Sequence, residues 1–515
     1  MGAPIIGRSR DFGRMSAIPA CRFYRVAALL GVVSTGILLS GCPSPKSSGR
    51  GPKQHEAQVI RVACPGEPAH AMIDRYSRRW ASSVGARVEV VDYARGSEPP
   101  EADVWIVQPA EMPRWANAGR LLPVPDEYTA PAAKYDWGDV LPVYRDKLCV
   151  WNRAICALPI LGEGLLCFYR DDLFQEPARQ NAFRAKYHRE LTAPATWAEF
   201  ADIAEFFHGD KQIAGLAPLP ADDEQLDREF FSVVAPFERP AISKDAARPS
   251  FEDMFSFHYD LGNGDPLIAT FAFVHGLTLL KRLQPTRAAG TGAPAECFRR
   301  GKCALCLADA SWIGRFQEAD APVRNRYGIC AVPGSDRVFD FASSTSRQAA
   351  ETNRIPYLGG AGLLGVVPQG STHPEAAFSL LGAISGPDTS AEAVMEPAWG
   401  GDVFRQSQFT NRGAWDTFDL TPARTNSLID SLHRTLEPSA INPVIRLRTP
   451  DQGSHLQALM QPVRAALTDP KIAPAQALAT TARRWHELDA KTSVSDRLRL
   501  YRLSLGLRGE SGGRP

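Results

Sequence analysis

An alternation of strand and helix signals constrains this chain more than any other feature. Val59 to Ala63 is a run of strand-favouring residues followed by the turn pair Pro65-Gly66. From Ala69 to Ser83, Met72, Ile73, Tyr76 and Trp80 recur at helical spacing. Arg87 to Tyr93 reads as a second strand and Asp103 to Val107 as a third, with Trp115 in a short helix ending at Gly119. Parallel strands need crossover helices of this length, so the rhythm predicts an α/β fold with a mostly parallel sheet.

Further along, Lys147–Val150 and Ala154–Leu158 flank Asn152-Arg153 as a hairpin, and Leu165–Arg170 is another strand. Thr196 with Glu199 three residues on is a capping-box pattern opening a helix. Helices are expected to dominate Phe251–Leu283, and strands to return at Cys303–Leu307, Gly328–Val332 and Leu363–Val367. Pro374–Ile384 reads as a helix, and Leu456, Leu459, Met460, Val463 and Leu467 form one apolar stripe in a helical C-terminal hundred residues.

Ahead of this body, Arg8, Arg10, Arg14, Arg22 and Arg25 precede an acid-free apolar run from Val26 to Leu39. A positive segment followed by an apolar run too short for a comfortable permanent span is the pattern of an export signal. Met1 and Met15 both remain open as its start. The run ends Leu39-Ser40-Gly41-Cys42, which resembles the bacterial lipobox and implies lipidation of Cys42. Residues 42–58 are rich in Pro, Gly and Ser with little to bury, so they read as a flexible tether. A lipid-anchored exported protein is expected, its body in the periplasm or outside the cell.

Charge is balanced: 58 Lys and Arg against 57 Asp and Glu leave +1. Such a chain offers no field for a phosphate backbone, so nucleic acid is not expected as a partner.

Several segments, in order, resemble family 1 extracellular solute-binding proteins, the group of the maltose-type sugar receptors. They are Asp103–Val107 with Trp115–Pro123, Leu166–Phe174 after Ala157-Leu158-Pro159, and Thr196–Phe200. Phe298–Leu305 with Ser311-Trp312, Tyr327–Gly334 and Gly359–Ala377 continue the series. The resemblance implies a two-lobed, type II periplasmic-binding-protein-like fold, a receptor that serves an ABC importer's permease subunits and binds a sugar or sugar derivative between the lobes. On that pattern residues 59–161 and 361–400 form lobe 1, and 165–357 and 409–506 form lobe 2. The chain would cross between them near Pro159–Gly164, Leu358–Gly362 and Ala398–Gln408. Another small polar solute (a polyamine, a phosphate ester, a metal chelate) stays open as the ligand, as does a secreted hydrolase as the activity.

Sugar sites pair aromatic platforms with hydrogen-bonding side chains, and parallel sheets place ligands at strand carboxyl ends. Glu67 follows the first strand, and Glu163 sits at the first crossing. Asp309 and Trp312 follow the strand beginning at Cys303. Gly360 would let backbone approach a ligand at the second crossing, while Trp399 and Arg405 lie at the third. These seven are the candidate ligand-binding residues.

Besides Cys21 and Cys42, eight cysteines remain. A two-residue turn at Asn152-Arg153 would set Cys149 opposite Cys156 as a candidate disulfide, while the others read as small buried hydrophobes. Cys303-x-x-Cys306 lies on a strand, where period two sends the two side chains to opposite faces, so no metal is expected. Neither a nucleophile elbow nor a zinc-protease helix nor a phosphate loop occurs, and no enzyme or cofactor is expected.

Overall fold

A computed structural model describes residues 58–209, 212–240, 255–290, 292–340, 345–436 and 443–509. The leader, most of the tether and Cys42 lie outside the described residues.

The principal strands are β1 (Val59–Cys64), β2 (Arg87–Asp92), β3 (Val104–Val107), β4 (Leu158–Leu161), β5 (Leu165–Tyr169), β6 (Ala214–Leu216), β7 (Cys303–Asp309), β8 (Gly328–Ala331) and β9 (Leu363–Val366). Two sheets result. The first runs β2-β1-β3-β9-β4, with β2 and β3 parallel to β1 and with β9 antiparallel to its neighbours. The second runs β8-β5-β7-β6, with only β6 and β7 parallel. Only Gly162–Gly164 separates β4 in the first sheet from β5 in the second. The chain returns to the first sheet at β9 and leaves it again before the helix Pro422–Leu436, which packs on β8. This is a two-lobed architecture crossed three times.

Helix α1 (Ala69–Val84) buries Met72, Ile73, Tyr76 and Trp80, the stripe expected from spacing, and ends at Gly85 in the left-handed region. Helix α2 (Trp197–His208) opens on the expected capping box: the Thr196 side chain accepts from Glu199 N, and the Glu199 carboxylate accepts from Thr196 N. Helix α3 (Asp223–Glu238) starts where Asp222 caps Gln225 N at 2.7 Å, and α4 (Pro294–Arg299) packs against β7. Helix α5 (Pro374–Ser385) covers the first sheet beside α1. Helix α6 (Gln452–Thr468) buries Leu459, Met460, Val463 and Leu467. No described helix is long and apolar enough to cross a membrane.

Two local expectations need correction. Within Phe251–Leu283 the described helix is Phe271–Leu283, because Tyr259–Pro266 instead closes a turn in which Asp260 and Asn263 bond nearby backbone N–H groups. The hairpin is shorter than expected: Tyr144–Leu148 forms a π-helical turn, leaving Val150–Trp151 paired with Ala154–Ile155. Its register is nevertheless the expected one, since Val150 faces Ile155 and Cys156 N donates to Cys149 O at 2.9 Å. Asn152 and Arg153 both take positive φ, as such a turn demands. Both cysteines are buried, and their thiols are free instead of bonded as a disulfide.

Candidate functional site

The three crossing segments meet backbone to backbone. Gly162 N donates to Asp402 O at 3.1 Å, and a Cβ on Gly162 would run into the Val403 carbonyl. A Cβ on Gly362, at φ +80°, would stand 2.8 Å from the Gly162 carbonyl oxygen, so only glycine fits there. Beside this junction opens a cavity of about 540 Å³.

Its first wall comes from the carboxyl ends of the first sheet's strands. Pro68 follows β1, Arg95 follows β2 and Gln108 follows β3. The floor is the junction itself: Leu161, Gly162, Gly360–Leu363, Trp399 and Asp402. The opposite wall comes from the second sheet's side, with Asp309 ending β7, Ser311 beyond it, and Asp222, Glu224, Gln225 and Arg228 from the start of α3. A larger groove of about 930 Å³ near Tyr128 and Gly382 draws on α5, on the short helices Asp126–Thr129 and Pro387–Val394 and on the loops beside them, so nothing from the second sheet faces it.

Charge on the cleft's far wall is arranged around Arg228. Arg228 holds Asp309 with both terminal nitrogens, one of them 2.7 Å from Oδ2. Asp402 is hydrogen-bonded by Ser311, yet its Oδ1 has no partner among the described residues. Burial drives the Asp402 carboxyl well above the usual range, and the Asp309 charge adds to this. Trp399, 8% exposed, likewise has an indole N–H without a partner among the described residues. Its ring meets Tyr76 edge-on at 6.4 Å, with the Arg75 guanidinium over it. A donor and an acceptor left open in one cleft are what a hydroxyl-rich or amine-bearing solute would satisfy.

The expected site residues distribute unevenly. Asp309, Gly360 and Trp399 come together in the cleft. Glu163 lies under its floor, 2% exposed, accepting the backbone N–H groups of Gly359 and of Ala361 (3.3 Å). Burial pushes its carboxyl up to about 7, against the pull of Arg228 and the Gly359 amide. Trp312 lines a smaller adjoining cavity of about 60 Å³ that shares Gln225, Arg228 and Asp309 with the cleft, and Arg315 stacks over its ring at 4.7 Å.

Two placements are corrections. Glu67 is exposed and absent from the lining, because its carboxylate turns to the first turn of α1 and accepts from Ala71 N at 3.3 Å; its neighbour Pro68 faces the cleft. Arg405 is fully buried away from the cavity, its guanidinium spent on the carbonyls of Tyr135, Asp136 and Ser385 at 2.9–3.1 Å. A residue near a crossing in sequence can equally point into the lobe that the crossing enters.

Sequence reasoning missed Arg228, Glu224 and Gln225 because α3 carried no expectation, although Asp222-Asp223-Glu224 is an acidic helix start. It also passed over Asp402, which stands beside Gly400-Gly401 in a segment singled out for Trp399. Among the described residues no cluster of three metal-type ligands exists.

Comparison with solved structures gives the same fold. The maltose-bound MalE3 of T. maritima superposes with a TM-score of 0.60 at 15% identity, over 84% of this chain and 100% of that one. An ABC transporter solute-binding protein of Agrobacterium radiobacter K84, in complex with ribitol, gives 0.62 at 17% identity over 85% and 100%. The Thermus thermophilus maltotriose-binding protein gives 0.58 at 16% identity over 83% and 99%. No match was found among curated protein sequences. The sequence model of the bacterial extracellular solute-binding proteins matches residues 91–401, a span that contains both sheets' central strands and most of the cleft lining. With fold, cleft and sequence model in agreement, the chain belongs to the bacterial extracellular solute-binding proteins.

Proposed function

We propose that this protein is the receptor of an ABC importer and captures a sugar or sugar alcohol in the cleft between its two sheets. The observation that carries this is a cavity of about 540 Å³ that both sheets line, with Trp399 and Asp402 in its lining and each holding a buried polar atom that has no partner among the described residues. Hydroxyls can serve both, and the Trp399 ring supplies an apolar edge for sugar C–H groups. Structures of the same fold are described with maltose, ribitol and D-mannitol. In this reading Asp309, Gly360, Trp399 and Asp402 contact the ligand, Glu163 holds the floor, and Trp312 borders an extension of the site. Residues 59–161 with 361–400 form one lobe and 165–357 with 409–506 the other, consistent with how the strands divide. Cys42 carries the lipid that ties the body to a membrane through the tether. The protein binds and releases its ligand without turnover.

A second reading rests on charge. The lining carries Asp222, Glu224 and Asp309 against Arg95 and Arg228, with Asp402 as a further hydrogen-bonding carboxyl, a surplus that suits a polyamine. A thermal-shift screen of the full chain against sugars, polyols and polyamines separates the two, since a ligand held by the native state raises Tm. Stabilisation by sugars or polyols supports the first reading and stabilisation by polyamines alone the second. Turnover of a bound glycoside would overturn both.

A further inference from the structure

Where α4 meets the second sheet, two thiols come together. Cys297 lies in the last turn of α4, and Cys303 is the first residue of β7. The turn between them is tight: Lys302 N donates to Cys297 O at 3.1 Å, and Gly301 takes φ +68°. That turn folds the chain back and brings the two thiols within reach of each other. They are not equivalent. Cys303 is fully buried, whereas Cys297 is partly exposed. The neighbouring Cys303 thiol pulls the Cys297 thiol below its ordinary value despite partial burial, with Lys302 and Arg300 adding to the effect. Burial first, and then the nearness of Cys297, hold the Cys303 thiol well above its own. An accessible thiol favoured as thiolate beside a buried partner is the arrangement that thiol–disulfide exchange requires.

We propose that Cys297 and Cys303 form a redox pair that closes to a disulfide once the chain meets the oxidising conditions outside the cytoplasm. The oxidant is a disulfide, carried by a protein or by glutathione. The Cys297 thiolate attacks one sulfur of that disulfide, forming a mixed disulfide and releasing one thiolate. Cys303 then loses its proton and attacks Cys297 Sγ, forming the internal bond and releasing the second thiolate. Two cysteine thiols are oxidised, one disulfide is reduced to two thiols, and two electrons pass. The closed bond would staple the end of α4 to the start of β7. The same strand ends at Asp309 in the cleft, and the first residues of α4 line the cavity beside Trp312.

Trypsin gives a direct test because it cuts at Arg299, Arg300 and Lys302, between the two cysteines. The full chain is incubated with oxidised glutathione, its remaining thiols are blocked at low pH, and it is digested without reduction. The expected product joins peptide 288–299 to peptide 303–315, with fragmentation placing the bond at Cys303 and not at Cys306. Cys303→Ser should keep the attacking thiol and accumulate a glutathione adduct on Cys297, whereas Cys297→Ser should leave Cys303 unmodified. Alkylation of Cys297 in the Cys303→Ser protein should still outpace that of every other cysteine, since Lys302 and Arg300 remain. The proposal is overturned if both wild-type thiols stay free after oxidation, or if Cys297 links to a different cysteine. Circular dichroism of each variant confirms that it is folded before labelling is compared.

Discussion

Gln108 Nε2 donates to Glu224 Oε2 at 3.0 Å, joining the end of β3 to the first turn of α3 across the mouth of the cleft. One residue belongs to the first sheet's side and the other to the second's, so this bond exists only while the two walls are close. A hydrogen bond to a charged group contributes about 1.5 kcal/mol at the lower end of its range. Gln108→Ala should therefore move the ligand-free protein roughly tenfold toward a more open form. Small-angle scattering would show a larger radius of gyration without ligand and recovery at saturating ligand. An unchanged radius would mean that the bond does not hold the walls together.

Trp399→Phe keeps a ring against Tyr76 but deletes the indole N–H that has no protein partner among the described residues. Affinity for the ligand should fall by about 0.5–1.5 kcal/mol in calorimetry, the value of one hydrogen bond, while the protein remains folded. Trp399→Ala is the poorer probe, because a side chain only 8% exposed leaves a cavity and costs about 3–5 kcal/mol of stability. Equal affinity in Trp399→Phe and wild type would remove the indole N–H from the binding contacts.

Arg228 is the cation for Asp309 and lies close enough to pull on Glu163 and Asp402 as well. Arg228→Leu should cost about 3 kcal/mol, near the low end for a broken buried pair, since the Asp309 side chain keeps 24% exposure. Urea melts at neutral pH measure this. The deficit should shrink at pH 5, where Glu163, raised to about 7, has taken up a proton and no longer needs a cation. A loss equal at both pH values would show that packing, not charge, is what Arg228 supplies.

Glu163 gives the protein a pH dependence of defined sign. Its carboxyl is raised from 4.5 to about 7 in the folded state, so between those values the native protein binds a proton that the unfolded chain does not. Stability contributed by this group is therefore fully present below pH 4.5, declines as pH rises to about 7, and is flat above. Asp227, raised to about 6 by burial, slopes the same way, so the informative quantity is the difference between wild type and Glu163→Gln. That difference should vary with pH across the 4.5–7 window and be constant above it. A difference independent of pH throughout would show that Glu163 does not titrate there.

Much of this was written locally. The β1-α1-β2 unit, the Thr196 capping box and the Asn152-Arg153 turn each follow from spacing within a few residues, and each is present in the structure. What escaped was set by distant contacts. Arg405 and Glu67 were chosen for their place along the chain, but side-chain direction decided the matter: one guanidinium is taken by three carbonyls, and one carboxylate by its own helix. Arg228 carries no local mark at all. It matters because Asp309, at the end of β7, meets it across 81 positions of sequence. The thiol pair was similarly hidden, since Cys303 drew notice for its spacing to Cys306 whereas its partner sits in the preceding helix.

The junction of main chain at Gly162, Gly362 and Val403 has an evolutionary consequence. Because the joint is made of peptide groups in contact, neither Gly162 nor Gly362 can gain a side chain without forcing the strands apart. Of the groups lining the cleft, those on the walls, such as Gln108, Glu224 and Gln225, make no part of that joint. Selection can therefore exchange Gln225 or Glu224 to suit a new nutrient while leaving the joint untouched. On this scaffold, ligand preference and articulation are free to diversify at separate rates.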